Sequence, residues 1–320
     1  MNLKRLLWSL IAVLASWGGS SSAYAQQYLR IGTGGTAGTY YPVGVLVARL
    51  VSQPGKILVT AQASNGSLGN VIGVANGSLE SGFSQADVSR WAYTGTGIFV
   101  GKPRLSGLRL IANLYPESIH IVVKKGAGIT TVADLKGKRV ALDEAGSGTL
   151  VNARQVLKAY GLQESDLIAE YIKPSLAGDR LKTGALDAFF LTAGAPAPAI
   201  SDLAASGFAL ELLPIDGPAA ARLRAASPFF QTDTFAAGTY LGTPAVPTLA
   251  VGAQWVTNEA VSSELIYEVT KALFKPATQD ALAAGHAKGQ RITLERAAQD
   301  AGLPLHPGAQ RYYREAGVLK

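Results

Sequence analysis

The 320-residue chain contains no cysteine. That absence removes disulfides, thiolate metal sites, iron–sulfur clusters and cysteine nucleophiles together, along with the lipidated cysteine that tethers a bacterial lipoprotein. Histidine is nearly as scarce. His120, His286 and His306 are far apart in sequence, with no HxH or HxxxH spacing, which argues against a zinc site. Only 16% of residues are charged, and the first carboxylate side chain is Glu80. No GxSxG elbow, HExxH pair or lysine-bearing phosphate loop occurs, so hydrolase, zinc-peptidase and nucleotide-hydrolysing chemistry lack their usual residues. Long apolar runs are also missing beyond the first 17 residues.

Glycine is abundant, with 36 residues, and the formal charge is +7. Two of those charges belong to Lys4 and Arg5. The other basic residues occur singly or in short pairs such as Lys124 with Lys125, with acids nearby and no aromatic-interleaved stripe. Nucleic-acid binding is therefore not indicated. Residues 1–25 read as a secretory leader: Lys4 and Arg5 form the positive region, Leu6–Trp17 the apolar run, and Ala23–Ala25 the small-x-small cleavage pattern. The apolar run is shorter than the roughly 20 residues of a membrane span. The expected mature chain starts at Gln26 and is periplasmic.

From Tyr28 onward the pattern is strand, glycine-rich turn, helix, repeated. Strands are predicted at 28–31, 57–63, 81–87, 108–113, 119–124, 139–142, 168–172, 188–191 and 210–214, with an extended segment at 246–256. Helices are predicted after Pro42 and Ser67, at 132–137, 150–160, 177–183, 200–205 and 261–274, with further helices in the tail. This alternation predicts parallel α/β architecture. Two such halves, with chain crossing near Tyr115–Ser118 and again near Gly242–Val246, predict lobes made of residues 26–117 with 246–320, and of residues 118–245.

Gly32–Ala37 matches a strand–GxGxxA–helix turn, but no acid follows about 20 residues later, as a dinucleotide site requires. A small-anion cradle fits better, because glycine turns entering helix N-termini expose free N–H groups. Gly146–Thr149 and Ser64–Ser67 repeat the pattern, and Gln85 and Asp87 end a strand in polar atoms. All four segments fall at the carboxyl ends of strands, where open α/β sheets bind ligands. Across two lobes they form a clamp for a carboxylate. Asp143 and Glu144, adjacent at a strand end, are expected to point apart and to form a solvated edge or the rim of the cleft. Arg154, one turn into the following helix, reads either as a ligand partner or as an exposed helix arginine.

Several segments in order, Gly32–Pro42 (GTGGTAGTYYP), Gln85–Asp87, Ala133–Val140 (ADLKGKRV), Gly146–Thr149, Asp187–Pro196 (DAFFLTAGAP), Ala237–Tyr240, Val246–Thr248, Leu305–Gly308 and Arg311–Arg314, resemble the TAXI family. These are extracytoplasmic receptors of tripartite ATP-independent periplasmic (TRAP) transporters. The resemblance implies a type 2 periplasmic-binding-protein fold, two βα lobes joined by a hinge around a ligand cleft. It implies delivery of a small carboxylate, such as glutamate, another amino acid or a dicarboxylate, to an ion-driven permease. It implies no catalysis, cofactor or metal, and a monomer is expected. The expected ligand-binding residues are Gly35, Thr36, Tyr40, Tyr41, Ser64, Asn65, Gly66, Ser67, Gln85, Asp87, Ser147, Gly148, Thr149, Arg154, Ala193, Gly194 and Tyr240. A receptor for an ATP-driven importer shares the fold and is the second reading. A secreted enzyme or a protein-binding module on the same cleft are the others.

Overall fold

A computed structural model describes residues 26–299 and 302–320; the expected leader lies outside the described residues. The first strand, β1 (Gln27–Gly32), buries Leu29 and Ile31 and enters a glycine turn that leads into α1 (Tyr40–Val51). Strand β2 (Ile57–Gln62) pairs parallel to β1, as does β3 (Ser81–Gln85) on its other side, with α2 (Ser67–Ala75) as the crossover between them. In α1, Val43, Val47 and Val51 fall on one face and are fully buried, the spacing that directs a helix onto a sheet.

The chain then forms α3 (Ala86–Thr94) and the 17-residue strand β4 (Leu108–Lys124). The second half holds β5 (Arg139–Ala141), α4 (Gly148–Ala159), β6 (Ile168–Glu170), α5 (Pro174–Lys182), β7 (Ala188–Ala193), α6 (Pro198–Ala205) and β8 (Leu210–Leu212). It continues with α7 (Gly217–Ala226) and β9 (Gln231–Phe235). Strand β10 (Val246–Asn258) runs back, followed by α8 (Ser263–Leu273), α9 (Pro276–Gly285), α10 (Leu294–Ala297) and α11 (Pro307–Glu315).

The strand order is β2-β1-β3-β10-β4-β7-β5-β6, with β8 on β4 and β9 on β10. Two strands are shared between the halves. At one end of β10, Ala253–Thr257 pairs with β3; at the other, Val246–Ala250 pairs with β9. Strand β4 lies antiparallel to β10 at one end and to β7 at the other, and the β4–β10 register slips between Gly252 and Gln254. One core gathers Leu29, Val47, Phe83, Trp255, Ile266 and Tyr313 from both chain ends. Two others, around Ile121, Val156 and Phe190 and around Phe189, Ile200 and Tyr240, belong to the middle of the chain.

The periodicity expectations differ from this in instructive places. Residues 108–113 and 119–124 form one strand rather than two, because Pro116–Ser118 continues the pairing with β10. Strand β10 itself runs from its pairing with β9 at Val246–Ala250 to its pairing with β3 at Ala253–Thr257. Helices α3 and α7 and strand β9 were not anticipated. The first carries the polar sequence ADVSRWAYT, whose apolar face is short.

Asn70 on α2 holds the carboxyl ends of β1 and β3 together. Its Nδ2 donates to the carbonyls of Gly32 (3.0 Å), Thr33 (2.7 Å) and Phe83 (2.7 Å), and its Oδ1 accepts from Ser64 Oγ (2.7 Å). The approach is close enough that a Cβ on Gly32 would fall 2.6 Å from Asn70 Oδ1. Asn70→Ala leaves buried carbonyls without a donor. We expect it to lower unfolding stability by about 2 kcal/mol, measured as a reduced urea midpoint with unchanged slope; a midpoint equal to wild type would show that the clamp is dispensable.

Candidate functional site

The carboxyl ends of β1, β2, β3, β5, β6 and β7, with one residue of β4, line a cavity of about 160 Å³. Its walls are Gly34–Tyr40 after β1, Ala63 and Asn65–Ser67 after β2, Gln85 at the end of β3, and Glu117 on β4. From the other half come Asp143, Glu144 and Ser147–Thr149 after β5, Lys173–Ser175 after β6, and Leu191–Ala193 at the end of β7. Within each half the parallel strands deliver their turns to one edge, and the antiparallel succession β3-β10-β4-β7 runs the two halves in opposite directions, so that those edges meet and distant glycine turns converge.

The two halves are hydrogen-bonded to each other along this cavity. Thr39 Oγ1 donates to the Gly194 carbonyl (2.6 Å), and Ala199 N donates to the Ala37 carbonyl (3.0 Å). Leu68 N and Gly69 N at the start of α2 both donate to the Gly146 carbonyl, at 3.0 and 3.1 Å, and Asn65 Nδ2 reaches the Ala145 carbonyl at 3.2 Å. Free N–H groups at a helix N-terminus attract negative charge. Here a carbonyl from the opposite half uses those of α2, so the anion cradle expected at Ser64–Ser67 is instead a contact between the halves. On the other side, Ser147 Oγ caps α4 by accepting from Leu150 N (3.0 Å), and Thr149 Oγ1 accepts from Thr192 N (3.1 Å).

Three carboxyls and one ammonium line the cavity. Glu117 is 2% exposed, and its Oε2 accepts from the Tyr40 hydroxyl at 2.6 Å. Burial pushes its carboxyl up to about 8; the Tyr40 hydrogen bond opposes the shift and the charge of Asp87 adds to it. Asp143 is also buried, and desolvation raises it to about 6. Glu144 lies 3.6 Å from the ammonium of Lys173.

Asp143 and Glu144 both line the cavity, which sets aside the solvated-edge alternative and leaves the cleft position. Strand alternation does not govern them: β5 ends at Ala141, and Asp143 adopts a left-handed conformation with φ 73°, which turns the chain inward. Glu117, Lys173 and Thr192 were not anticipated. The available signal for Glu117 was an acid inside a long apolar strand, because glutamate is rarely buried without a specific role.

Of the expected ligand-binding residues, Gly35, Thr36, Tyr40, Asn65, Gly66, Ser67, Gln85, Ser147, Gly148, Thr149 and Ala193 line the cavity. The rest lie off its wall. Ser64 braces Asn70, and Tyr41 follows the lining residue Tyr40 at the start of α1. Gly194 gives its carbonyl to Thr39. Tyr240 is buried behind β7, where its hydroxyl contacts His120 Nε2 (2.8 Å) and accepts from Ala197 N (2.9 Å). Arg154 is corrected to the exposed-arginine reading: its guanidinium binds Glu164 at 2.6 Å on the outer surface. Asp87 sits beneath the cavity, where its Oδ2 accepts from Asn152 Nδ2 (2.9 Å) on α4.

That contact makes Asp87 a buried acid between α3 and α4. Burial pushes its carboxyl up to about 6 from an ordinary 3.8, although hydrogen bonds from Val88, Gln155 and Asn152 favour the charged form. Such a group adds stability fully below its unfolded pKa and loses that contribution as pH rises through its folded one. Asp87→Asn does not titrate. Relative to wild type, the variant should gain stability between about pH 4 and about pH 7, by at most about 3 kcal/mol. Parallel urea-midpoint profiles for the two proteins would contradict this.

Solved structures share the architecture. The alkanesulfonate-binding protein SsuA from Xanthomonas axonopodis pv. citri, bound to MOPS, is 20% identical, with 91% of this chain and 85% of that chain covered and a TM-score of 0.52. PhnD1 from Prochlorococcus marinus (MIT 9301), in complex with methylphosphonate, is 10% identical over 92% of this chain and 99% of its own, with a TM-score of 0.52. A structure described as a periplasmic transporter is 13% identical, with 92% and 96% covered and a TM-score of 0.55. At these identities the likeness establishes the fold, the two-lobed α/β architecture of periplasmic binding proteins. The family model described as NMT1-like matches residues 31–317, and the chain belongs to the NMT1-like family.

Proposed function

We propose that the protein is a periplasmic solute receptor that closes its two lobes around a small zwitterion, an amino acid, and presents it to a membrane transporter. The observation that carries this reading is the cavity itself, enclosed by turns from both lobes and about 160 Å³ in volume. Pockets for drug-sized ligands run to roughly 300–1,000 Å³, so this one suits a solute of a few heavy atoms. Backbone N–H groups and the hydroxyls of Thr36, Ser67, Ser147 and Thr149 offer donors to a carboxylate. The inward-facing Asp143 and Glu144 disfavour a second negative charge and favour an amino group, which weighs against the dicarboxylate option. A binding role without chemistry is supported by the cavity's hydroxyls, which have no histidine base against them: none of the three histidines lines the cavity.

Two membrane partners fit this role. The motif resemblance implies an ion-driven TRAP permease. The sulfonate and phosphonate binders that share the fold support the second reading, an ATP-driven importer, better than the first. We propose that residues 1–25 form the export leader, cut after Ala25, that the mature receptor is a monomer, and that the lobes comprise residues 26–117 with 246–320, and 118–245. Among the described residues no helix is long and apolar enough to cross a membrane.

A thermal-shift panel of amino acids, C4–C6 dicarboxylates, alkanesulfonates and phosphonates tests the ligand class. A solute present at about 100 times its Kd stabilises the protein by roughly 2.7 kcal/mol, which gives a clear rise in Tm. We expect amino acids to give it; a response to sulfonates or phosphonates alone would overturn the zwitterion reading. Closure has its own test in Gly148, where an added Cβ would fall 2.3 Å from Gln85 Oε1 and 2.6 Å from Ser67 Oγ, both on the opposite lobe. Gly148→Val should therefore hold the lobes apart and weaken solute binding by at least about tenfold, with secondary structure intact by circular dichroism. Unchanged affinity would place the ligand outside this cleft.

A further inference from the structure

Glu117 lies on β4 where that strand passes between the lobes, and it is almost entirely buried. One oxygen is held by Tyr40; the other has no hydrogen bond among the described residues, and the residue lines the cavity. Lys288 is near enough to bias its charge but forms no ion pair with it among the described residues. Lys173 is engaged by Glu144. A buried carboxyl without a cation must either keep its proton or receive a positive charge, because desolvating a lone carboxylate costs several kcal/mol.

Two other cavity-lining residues carry a buried polar atom with no hydrogen-bond partner among the described residues. Gln85 Oε1 and Thr192 Oγ1 are buried and unbonded, their residues 2% and 7% exposed, and both residues line the cavity. Unpaired buried acceptors are costly in isolation. An ammonium group carries three N–H donors and no acceptor, so one such group would satisfy Glu117, Gln85 and Thr192 at once.

Resting on the amino-acid reading above, we propose that Glu117, oriented by Tyr40, receives the solute's ammonium group and selects amino-bearing solutes over their desamino counterparts. The Tyr40 hydrogen bond fixes the carboxyl against α1, so it meets the solute without reorganising. At neutral pH the empty residue holds a proton, and taking up an ammonium ionises it and releases that proton to solvent. Burial keeps the Tyr40 and Tyr115 hydroxyls protonated, whereas Asp87 and Asp143, raised to about 6, are largely ionised at neutral pH; of these two, Asp143 lines the same cavity and shares the attraction for the ammonium.

The test is calorimetric titration of wild type and Glu117→Gln with L-glutamate and glutarate, and with the best amino acid of the panel and its own desamino acid. Glu117→Gln should lose about 30-fold or more in affinity for the amino acids, the size expected when a buried charge loses its partner, and should bind the desamino acids as well as wild type or better. Titrations near pH 7 in two buffers of different ionisation enthalpy should show wild type releasing most of one proton on amino-acid binding. Retention of amino-acid affinity within about threefold, equal loss for both solutes, or no proton release would each overturn the proposal. Tyr40→Phe, which keeps the carboxylate, should cost less than Glu117→Gln and serves if the latter does not fold. If wild type binds no amino acid at all, the amino-acid reading has failed and this proposal with it. If amino acids bind wild type but discrimination survives Glu117→Gln, the present proposal alone falls.

Discussion

The antiparallel contact between β4 and β10 is the constraint on which the rest of the molecule depends. Each strand contributes one end to either lobe, so the lobes share a pair of hydrogen-bonded ladders and not a flexible linker. A paired crossover limits relative motion to bending and twisting about the pair, and the register slip at Gly252–Gln254 marks where the pairing is weakest. The cavity lies beside this crossover, and Glu117 occupies the strand as it passes. In the proposed receptor, a carboxyl fixed on this strand pair would face the solute from whichever side the lobes approach.

The cavity is small because the lobes touch through their own polar groups. Thr39 with Gly194, Ala37 with Ala199, and the α2 N-terminus with Gly146 form a rim of direct hydrogen bonds around it. Hydrogen bonds across such a rim fix the geometry of closure, while the interior carries the chemistry that distinguishes one solute from another. The interior is acidic for a receptor expected from its turns to grip a carboxylate. That balance moved the ligand class from a generic carboxylate to one that also carries an amine.

Much of the fold was legible in the sequence, because alternation of strand, glycine turn and amphipathic helix is a local signal. Gly34, Gly35, Gly66 and Gly148 line the cavity; at Gly148 a Cβ would collide with Gln85 and Ser67, and Gly66 has a φ of 95° that favours glycine. The misses have a common cause. Asp143 and Glu144 were judged by strand periodicity, yet they lie past the strand end in a turn. Arg154 was judged by its distance from the turn along the helix, while its partner Glu164 comes from a separate segment. Glu117 follows a proline in an apolar stretch and belongs to no motif; its role depends on Tyr40, 77 positions away. Tertiary juxtaposition of single residues leaves no spacing to read.

The Gly146 carbonyl on the N-terminus of α2 sets an energetic baseline for closing. Because the positive end of that helix is already matched by a carbonyl of the opposite lobe, part of the free energy of closing belongs to the protein itself. If the protein is the receptor proposed above, this contact would give the empty form a closed population of its own, and solute affinity would be discounted less for the work of bringing the lobes together. A membrane partner that recognised lobe position alone would accept empty receptors along with loaded ones. Productive delivery therefore requires the partner to respond to something that only the solute changes, such as the charge held within the cleft.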